Sequence, residues 1–132
     1  MSYHFDAFGA HRAGRVYNSF MWEGISNHPM VLAQALPFES AIAHWRLMKQ
    51  LNHIANIALL FRDHPVGKIR PDGFRYALAP KDQPQYLEAL RLGARLLFAA
   101  GAKRVRTTNV KPVLIERAED IARKLTLEQV KP

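Results

Sequence analysis

The N-terminal quarter of the chain contains two short runs in which aromatic and aliphatic residues alternate with polar ones. These runs cover residues 3–8 and 15–22, and glycines and basic residues separate them. Aromatic and β-branched residues bounded by glycine are typical of strands. The pattern therefore predicts a β-hairpin with a long connection.

Beyond this hairpin the spacing of apolar residues changes to the 3.6-residue period of a helix. A short helical turn over 30–35 is predicted to end at Pro37, because a proline disfavours helix in the residue before it. Ser40 is then a candidate N-cap for one long helix near residues 39–62. Its second half is apolar nearly all round, which predicts burial on more than one side.

A second hairpin is predicted where residues 67–70 and 74–78 flank Pro71-Asp72-Gly73, since proline and glycine suit a tight turn. Asp82 is a candidate N-cap for the next helix, which Gly101 is expected to end.

This next helix has one apolar face, formed by Leu87, Leu90, Ala94, Leu97 and Phe98. Gly93 in its middle is less favourable than alanine by about 1 kcal/mol, which indicates either close packing or a tolerated defect. A strand over 103–108 and an amphipathic helix over 115–125 complete the pattern. The sum predicts an α+β fold, an antiparallel β-sheet covered by helices, over a single domain of residues 1–132.

Composition narrows the class of protein. The chain has 132 residues, of which 48% are hydrophobic and 23% charged, as expected for one globular domain. It has no cysteine, which excludes a disulfide scaffold, a thiolate zinc site and a thiol nucleophile. The first six residues do not resemble a signal peptide, and no apolar stretch reaches the roughly 18 residues of a spanning helix. We therefore expect a cytoplasmic location.

The formal net charge of +8 raises the alternative of a small basic nucleic-acid-binding protein. The residues that would carry it are Arg91, Arg95, Lys103, Arg104 and Arg106. The basic residues are scattered, however, and the aromatic residues do not interleave with them as a base-stacking platform requires. An ordinary basic surface is the preferred interpretation. A second alternative is an interaction subunit that docks through the apolar helix over 39–62.

Common catalytic motifs are missing from the sequence. The six histidines do not have the spacing of a metal-binding helix, so no metal site is expected. The seven glycines form neither a phosphate-binding loop nor a Gly-x-Gly-x-x-Gly dinucleotide fingerprint. No cofactor-binding residue is therefore expected in this chain.

Glu23 is the candidate catalytic residue, because it is a carboxylate at the end of an aromatic strand. Inside an apolar cavity, desolvation would raise its pKa and make it a usable general base. On the residues alone, a carboxylate at the rim of the strand, paired with an arginine, is the preferred alternative.

Four stretches in order carry a resemblance to a known family. They are Met21-Trp22-Glu23 with Asn27-His28-Pro29-Met30, then Gln34-Ala35-Leu36-Pro37, then residues 67–70 with 75–82, and finally residues 96–105. Read together, they resemble the substrate-binding domain of the glucose-methanol-choline (GMC) flavin oxidoreductases. The similarity is greatest to the branch that oxidises sterols and long-chain alcohols.

The resemblance implies an antiparallel sheet, roofed by helices, that covers FAD and holds an apolar alcohol or a sterol-like molecule. It implies that Glu23 acts as a base near this substrate, and it makes Trp22, Met21 and His28 candidate substrate-binding residues. His28-Pro29-Met30 imitates the catalytic His-Pro segment of the family. Val31 replaces the glycine of that segment, so we interpret these residues as a connecting turn.

The chain also departs from the family. It lacks the Gly-x-Gly-x-x-Gly flavin fold, and the catalytic histidine segment is expected beyond residue 132. We therefore expect a substrate-binding portion that is inactive alone. Its expected partner is a flavin-binding chain or a second copy of itself.

Overall fold

The computed structural model describes residues 3–5, 20–109 and 111–130, and these form an α+β fold. The helices are α1 (Pro29–Ala35), α2 (Ala41–Met48), α3 (Gln83–Ala99) and α4 (Ile121–Lys124). The strands are β1 (Tyr3–Phe5), β2 (Phe20–Gly24), β3 (Ile57–Phe61), β4 (Lys68–Arg70), β5 (Gly73–Arg75), β6 (Val105–Arg106) and β7 (Leu114–Ile115). All strand pairs in the described part of the chain are antiparallel, as the sequence pattern predicts.

The largest sheet has the order β1-β2-β3, with β2 in the centre. Phe5 pairs with Phe20 in the first ladder, and Phe20 pairs with Phe61 in the second. The predicted N-terminal hairpin is confirmed where β1 meets β2. The rest of it, over 6–19, lies outside the described residues.

The prediction of one long helix near residues 39–62 is wrong. Helix α2 ends at Met48, a short 3₁₀ helix covers Leu51–His53, and Ile57–Phe61 forms β3. Five consecutive apolar residues fit a buried strand as well as a helix that is apolar all round. Residues 57–61 form an edge strand that pairs with β2 along its whole length, and alternate side chains of β3 pack against the cluster beneath α3.

Helix α3 connects the two hydrophobic clusters of the described chain. Its Ala89 is fully buried with Phe20 and Trp22 under the three-stranded sheet. One turn further on, Ala94 belongs to a second cluster that contains Val105, Ile115, Ile121, Leu125 and Val130. Gly101, at a φ of +94°, follows the helix at its C-terminus, as predicted.

The predicted helix over 115–125 is wrong in its first part. Ile115 lies in β7 opposite Val105, and α4 begins only at Ile121. Ile115, Ile121 and Leu125 are nevertheless buried in the same cluster. Their spacing therefore identified the core residues correctly but assigned all of them to one helix.

Candidate functional site

Strand β2 carries the candidate site residues on two opposite faces of the sheet. Phe20 and Trp22 are buried toward α3, whereas Met21 and Glu23 alternate with them and are half-buried on the other face. Met21 and Glu23 are therefore brought together, and Trp22 is separated from both.

The cross-strand pairs define the surroundings of Glu23. Glu23 lies opposite Ala58, and Met21 lies opposite Leu60. Residues directly opposite each other in an antiparallel pair project from the same face of the sheet. Leu60 is 46% exposed, so this apolar surface around the Glu23 carboxylate is open to solvent on the β3 side.

Glu23 forms no ion pair with any residue that the structure describes. Other glutamates do, since Glu39 pairs with Arg106 at 2.9 Å and Glu88 with Arg95 at 3.5 Å. The alternative of a carboxylate paired with an arginine is thus not observed in this part of the chain.

Trp22 lies on the covered face, where its ring packs against Gly93 of α3. The close-packing interpretation of that glycine is confirmed. The indole Nε1 is buried and has no hydrogen-bond partner in the described chain. Trp22 also lines a cavity of about 520 Å³ between the sheet and α3, together with Ile57, Leu59 and Leu90.

His28 lies away from this cavity, in the turn between β2 and α1. It is the N-cap of α1, and its Nδ1 accepts a hydrogen bond from the backbone N–H of Met30 at 3.4 Å. The side chain is exposed. The interpretation of this segment as a connecting turn agrees with its position.

A histidine–aspartate pair that the sequence did not suggest lies at the start of α3. The fully buried Asp82 accepts a hydrogen bond from the backbone N–H of His64 at 2.9 Å. His64 Nδ1 lies 2.7 Å from the second carboxylate oxygen. Asp82 is the N-cap residue, but its side chain makes no capping bond, because both oxygens contact His64. A carboxylate in this position fixes the orientation of an imidazole ring.

Tyr76 forms a second polar contact close to this pair in sequence. Its hydroxyl donates to the carboxylate of Asp63 at 2.5 Å. This hydrogen bond, helped by desolvation, raises the pKa of Tyr76 to about 12. The contact links the segment that follows β5 to the loop that follows β3.

The described residues form neither a three-ligand metal site nor a β-α-β dinucleotide-binding unit. No three His, Asp or Glu side chains of this part converge as a ligand set. The β-α-β dinucleotide-binding fold has parallel strands and a glycine-rich turn, whereas every described strand pair is antiparallel. The buried Asp82 carboxylate at the start of α3 also disfavours a pyrophosphate there.

Several of the candidate nucleic-acid-binding residues make contacts within the chain. The guanidinium of Arg91 donates to the carbonyl oxygens of Leu125, at 2.9 and 3.2 Å, and of Ala122, at 3.2 Å. Arg95 pairs with Glu88, and Arg106 pairs with Glu39. The interaction-subunit alternative assumed docking through a long helix over 39–62, and the structure does not contain that helix.

No family model matches the chain, and no curated protein or solved structure matches it either. Across the described ranges, none of the helices has both the length and the apolar character that crossing a membrane requires.

Proposed function

We propose that this chain is the substrate-binding part of a GMC-type, FAD-dependent alcohol or sterol oxidoreductase, with the cytoplasm as its location. The observation that carries the proposal is the position of Glu23. Glu23 has no ion-pair partner in the described chain, and it shares the sheet face opposite α3 with Met21, Ala58 and Leu60.

This arrangement suits an apolar alcohol. A hydroxyl group can donate a hydrogen bond to the Glu23 carboxylate while the hydrocarbon part contacts Met21 and Leu60. Small-molecule sites typically combine an apolar lining with a few polar groups that fix orientation. A carboxylate within hydrogen-bond reach of the hydroxyl is also the group that takes its proton.

The proposal assigns only part of the reaction to this chain. Because the described strands form no β-α-β dinucleotide-binding unit, we assign to this chain only alcohol binding and a proton acceptor at Glu23. The flavin belongs to a partner chain or to a further part of the protein. The chain alone is therefore proposed to be inactive.

Methyl NMR spectroscopy with 1-octanol as the probe tests where an alcohol binds. With labelled Met, Ala and Leu methyl groups, we expect chemical-shift changes at Met21, Ala58 and Leu60. Changes confined to Leu59 and Leu90 would place the ligand on the other face of the sheet. That result, or no change at all, would overturn the proposal.

The role of Glu23 is tested by comparing 1-octanol with its methyl ether, which lacks the hydroxyl donor. The unmodified protein should bind the alcohol about tenfold more tightly, because a hydrogen bond to a charged group contributes about 1.5–3 kcal/mol. Glu23→Leu should remove this preference. Glu116→Leu, at an exposed glutamate directly after β7, should retain it. A preference that survives Glu23→Leu would show that the hydroxyl is bound elsewhere.

A flavin titration tests whether this chain binds FAD itself. After addition of excess FAD and removal of the free flavin, the protein should show no visible absorption, and its native mass should be that of an oligomer without flavin. A stoichiometric yellow complex would show that the chain contains a nucleotide site and would refute the assignment of FAD to a partner.

A further inference from the structure

The β4–β5 hairpin holds two large apolar side chains almost entirely in solvent. Ile69 is 94% exposed and Phe74 is 81% exposed. The two residues are direct cross-strand partners. They therefore project from the same face of the hairpin and form one small apolar surface.

The other face of the same hairpin is basic. Lys68 and Arg75 lie directly opposite each other, and Arg70 follows on the same strand. Like charges in directly opposed positions destabilise a strand pair. These three cations have no ion-pair partner among the described residues, so a bound anion would relieve their repulsion.

The hydrophobic clusters do not hold the hairpin in place. Every residue of β4 and β5 is exposed, and none belongs to either buried cluster of the described chain. The turn residue Asp72 is the only acidic residue from Lys68 to Arg75. The hairpin is thus a projecting ribbon with one apolar face and one basic face.

We propose that the β4–β5 hairpin attaches the protein to the surface of an anionic phospholipid membrane. Ile69 and Phe74 would enter the interfacial layer of the membrane. Lys68, Arg70 and Arg75 would contact lipid phosphates, because their long stems reach around the open edges of a two-stranded ribbon. The net charge of +8 adds a long-range attraction toward an anionic surface.

The size of the apolar surface favours a membrane over a protein partner. A stable protein–protein interface buries roughly 1,000 Å² or more, which two side chains do not supply. Attachment to a membrane surface needs only shallow insertion of a few apolar side chains together with nearby basic groups. This inference does not depend on the proposed alcohol-binding function.

Co-sedimentation with lipid vesicles tests the proposal. The full chain should bind phosphatidylcholine vesicles that contain about one third phosphatidylserine and should not bind pure phosphatidylcholine. Salt at about 0.5 M should weaken the binding, since it screens the contacts with lipid phosphates. Absence of binding to the anionic vesicles would overturn the proposal.

Paired variants locate the attachment point. The double variant Ile69→Ser/Phe74→Ser should lower the vesicle affinity by about tenfold or more. Its control is Met30→Ser/Val31→Ser, which alters two exposed apolar residues of α1 and should have little effect. Circular dichroism should show both proteins folded, because all four side chains are exposed.

The basic face is tested with two double variants that lower the net charge by the same amount. Lys68→Gln/Arg75→Gln should weaken binding by about fivefold for each charge removed. Lys103→Gln/Arg104→Gln removes two exposed charges outside the hairpin and should weaken it much less. Equal losses of affinity in the two variants would indicate attraction by net charge alone. That result would refute attachment through the β4–β5 hairpin. A dimer in native mass spectra that is lost in Ile69→Ser/Phe74→Ser, without vesicle binding, would instead identify a protein interface.

Discussion

The indole ring of Trp22 occupies the space that a side chain at position 93 would need. A Cβ atom built on Gly93 would overlap the six-membered part of the ring. Glycine is unfavourable inside a helix, yet here it lets α3 approach the sheet closely enough to bury both Trp22 and Ala89. The contact therefore determines the spacing between the helix and the sheet.

Replacing Gly93 by alanine should destabilise the protein. Alanine gains about 1 kcal/mol of helix propensity, but overpacking a core typically costs about 1–3 kcal/mol, and here a rigid ring must move. We expect a net loss of about 1–2 kcal/mol in the free energy of unfolding, measured by urea denaturation. The double variant Gly93→Ala/Trp22→Phe has a smaller ring and should recover part of this loss. If Gly93→Ala instead stabilised the protein, the indole ring of Trp22 would have to move without lowering the free energy of unfolding.

The features that the sequence pattern predicted are those with local signals. Pro71-Asp72-Gly73 specifies a turn by itself, and Gly73 has a φ of +139°, a conformation that other residues rarely adopt. Residues 57–61 have no such signal, because an uninterrupted apolar run does not distinguish strand from helix. Their structure depends on pairing with β2, which is far away in the sequence.

The candidate site was predicted only in part for a related reason. The two-residue period of a strand already places Met21 and Glu23 on the face opposite Trp22. A single pocket that uses all three residues is therefore inconsistent with the strand that the sequence itself predicts. The pairing of His64 with Asp82 has no local signal, because it joins a loop to a helix start across an intervening hairpin.

Asp82→Asn should lower the free energy of unfolding by about 1.5–3 kcal/mol, the range for hydrogen bonds to charged groups. The carboxylate is fully buried and faces two nitrogen atoms of His64, whereas an amide has only one accepting oxygen. Urea denaturation measures the effect. Asp72→Asn, at the exposed turn of the second hairpin, is the matched control and should stay within about 0.5 kcal/mol. Equal effects at both positions would mean that burial of Asp82 contributes nothing.

The Tyr76–Asp63 hydrogen bond should be visible in the alkaline pH dependence of stability. The pKa of Tyr76 is raised from 10.0 to about 12 in the folded state, chiefly by the bond to Asp63. The bond therefore stabilises the fold fully below pH 10, and its contribution is lost as the pH rises toward 12. The stability difference between the unmodified protein and Tyr76→Phe should shrink over this window. Asp63→Asn should lower the pKa of Tyr76 in an ultraviolet titration, and an unchanged pKa would refute the contact.

Arg91 should stabilise the end of α4 and the segment that follows it through hydrogen bonds to the backbone. Its guanidinium donates to the carbonyl oxygens of Ala122 and Leu125 at the end of α4, where helical carbonyls lack partners within the helix. Arg91→Met leaves these groups unpaired. It should therefore reduce the hydrogen-exchange protection of the Leu125 and Val130 amides by about tenfold, following the typical loss of 1–3 kcal/mol.

Two further variants decide whether Arg91 acts through this geometry or through its charge. Arg91→Lys keeps the charge but lacks the planar group that reaches both carbonyls, so it should recover only part of the protection. Arg95→Met removes a charge from the exposed pair with Glu88 and should leave the exchange of Leu125 unchanged. If Arg91 instead served to bind nucleic acid, Arg91→Met would weaken a salt-dependent affinity for DNA and leave amide protection intact. Because three hydrogen bonds of the Arg91 guanidinium end on backbone carbonyls of this chain, we expect the loss of protection.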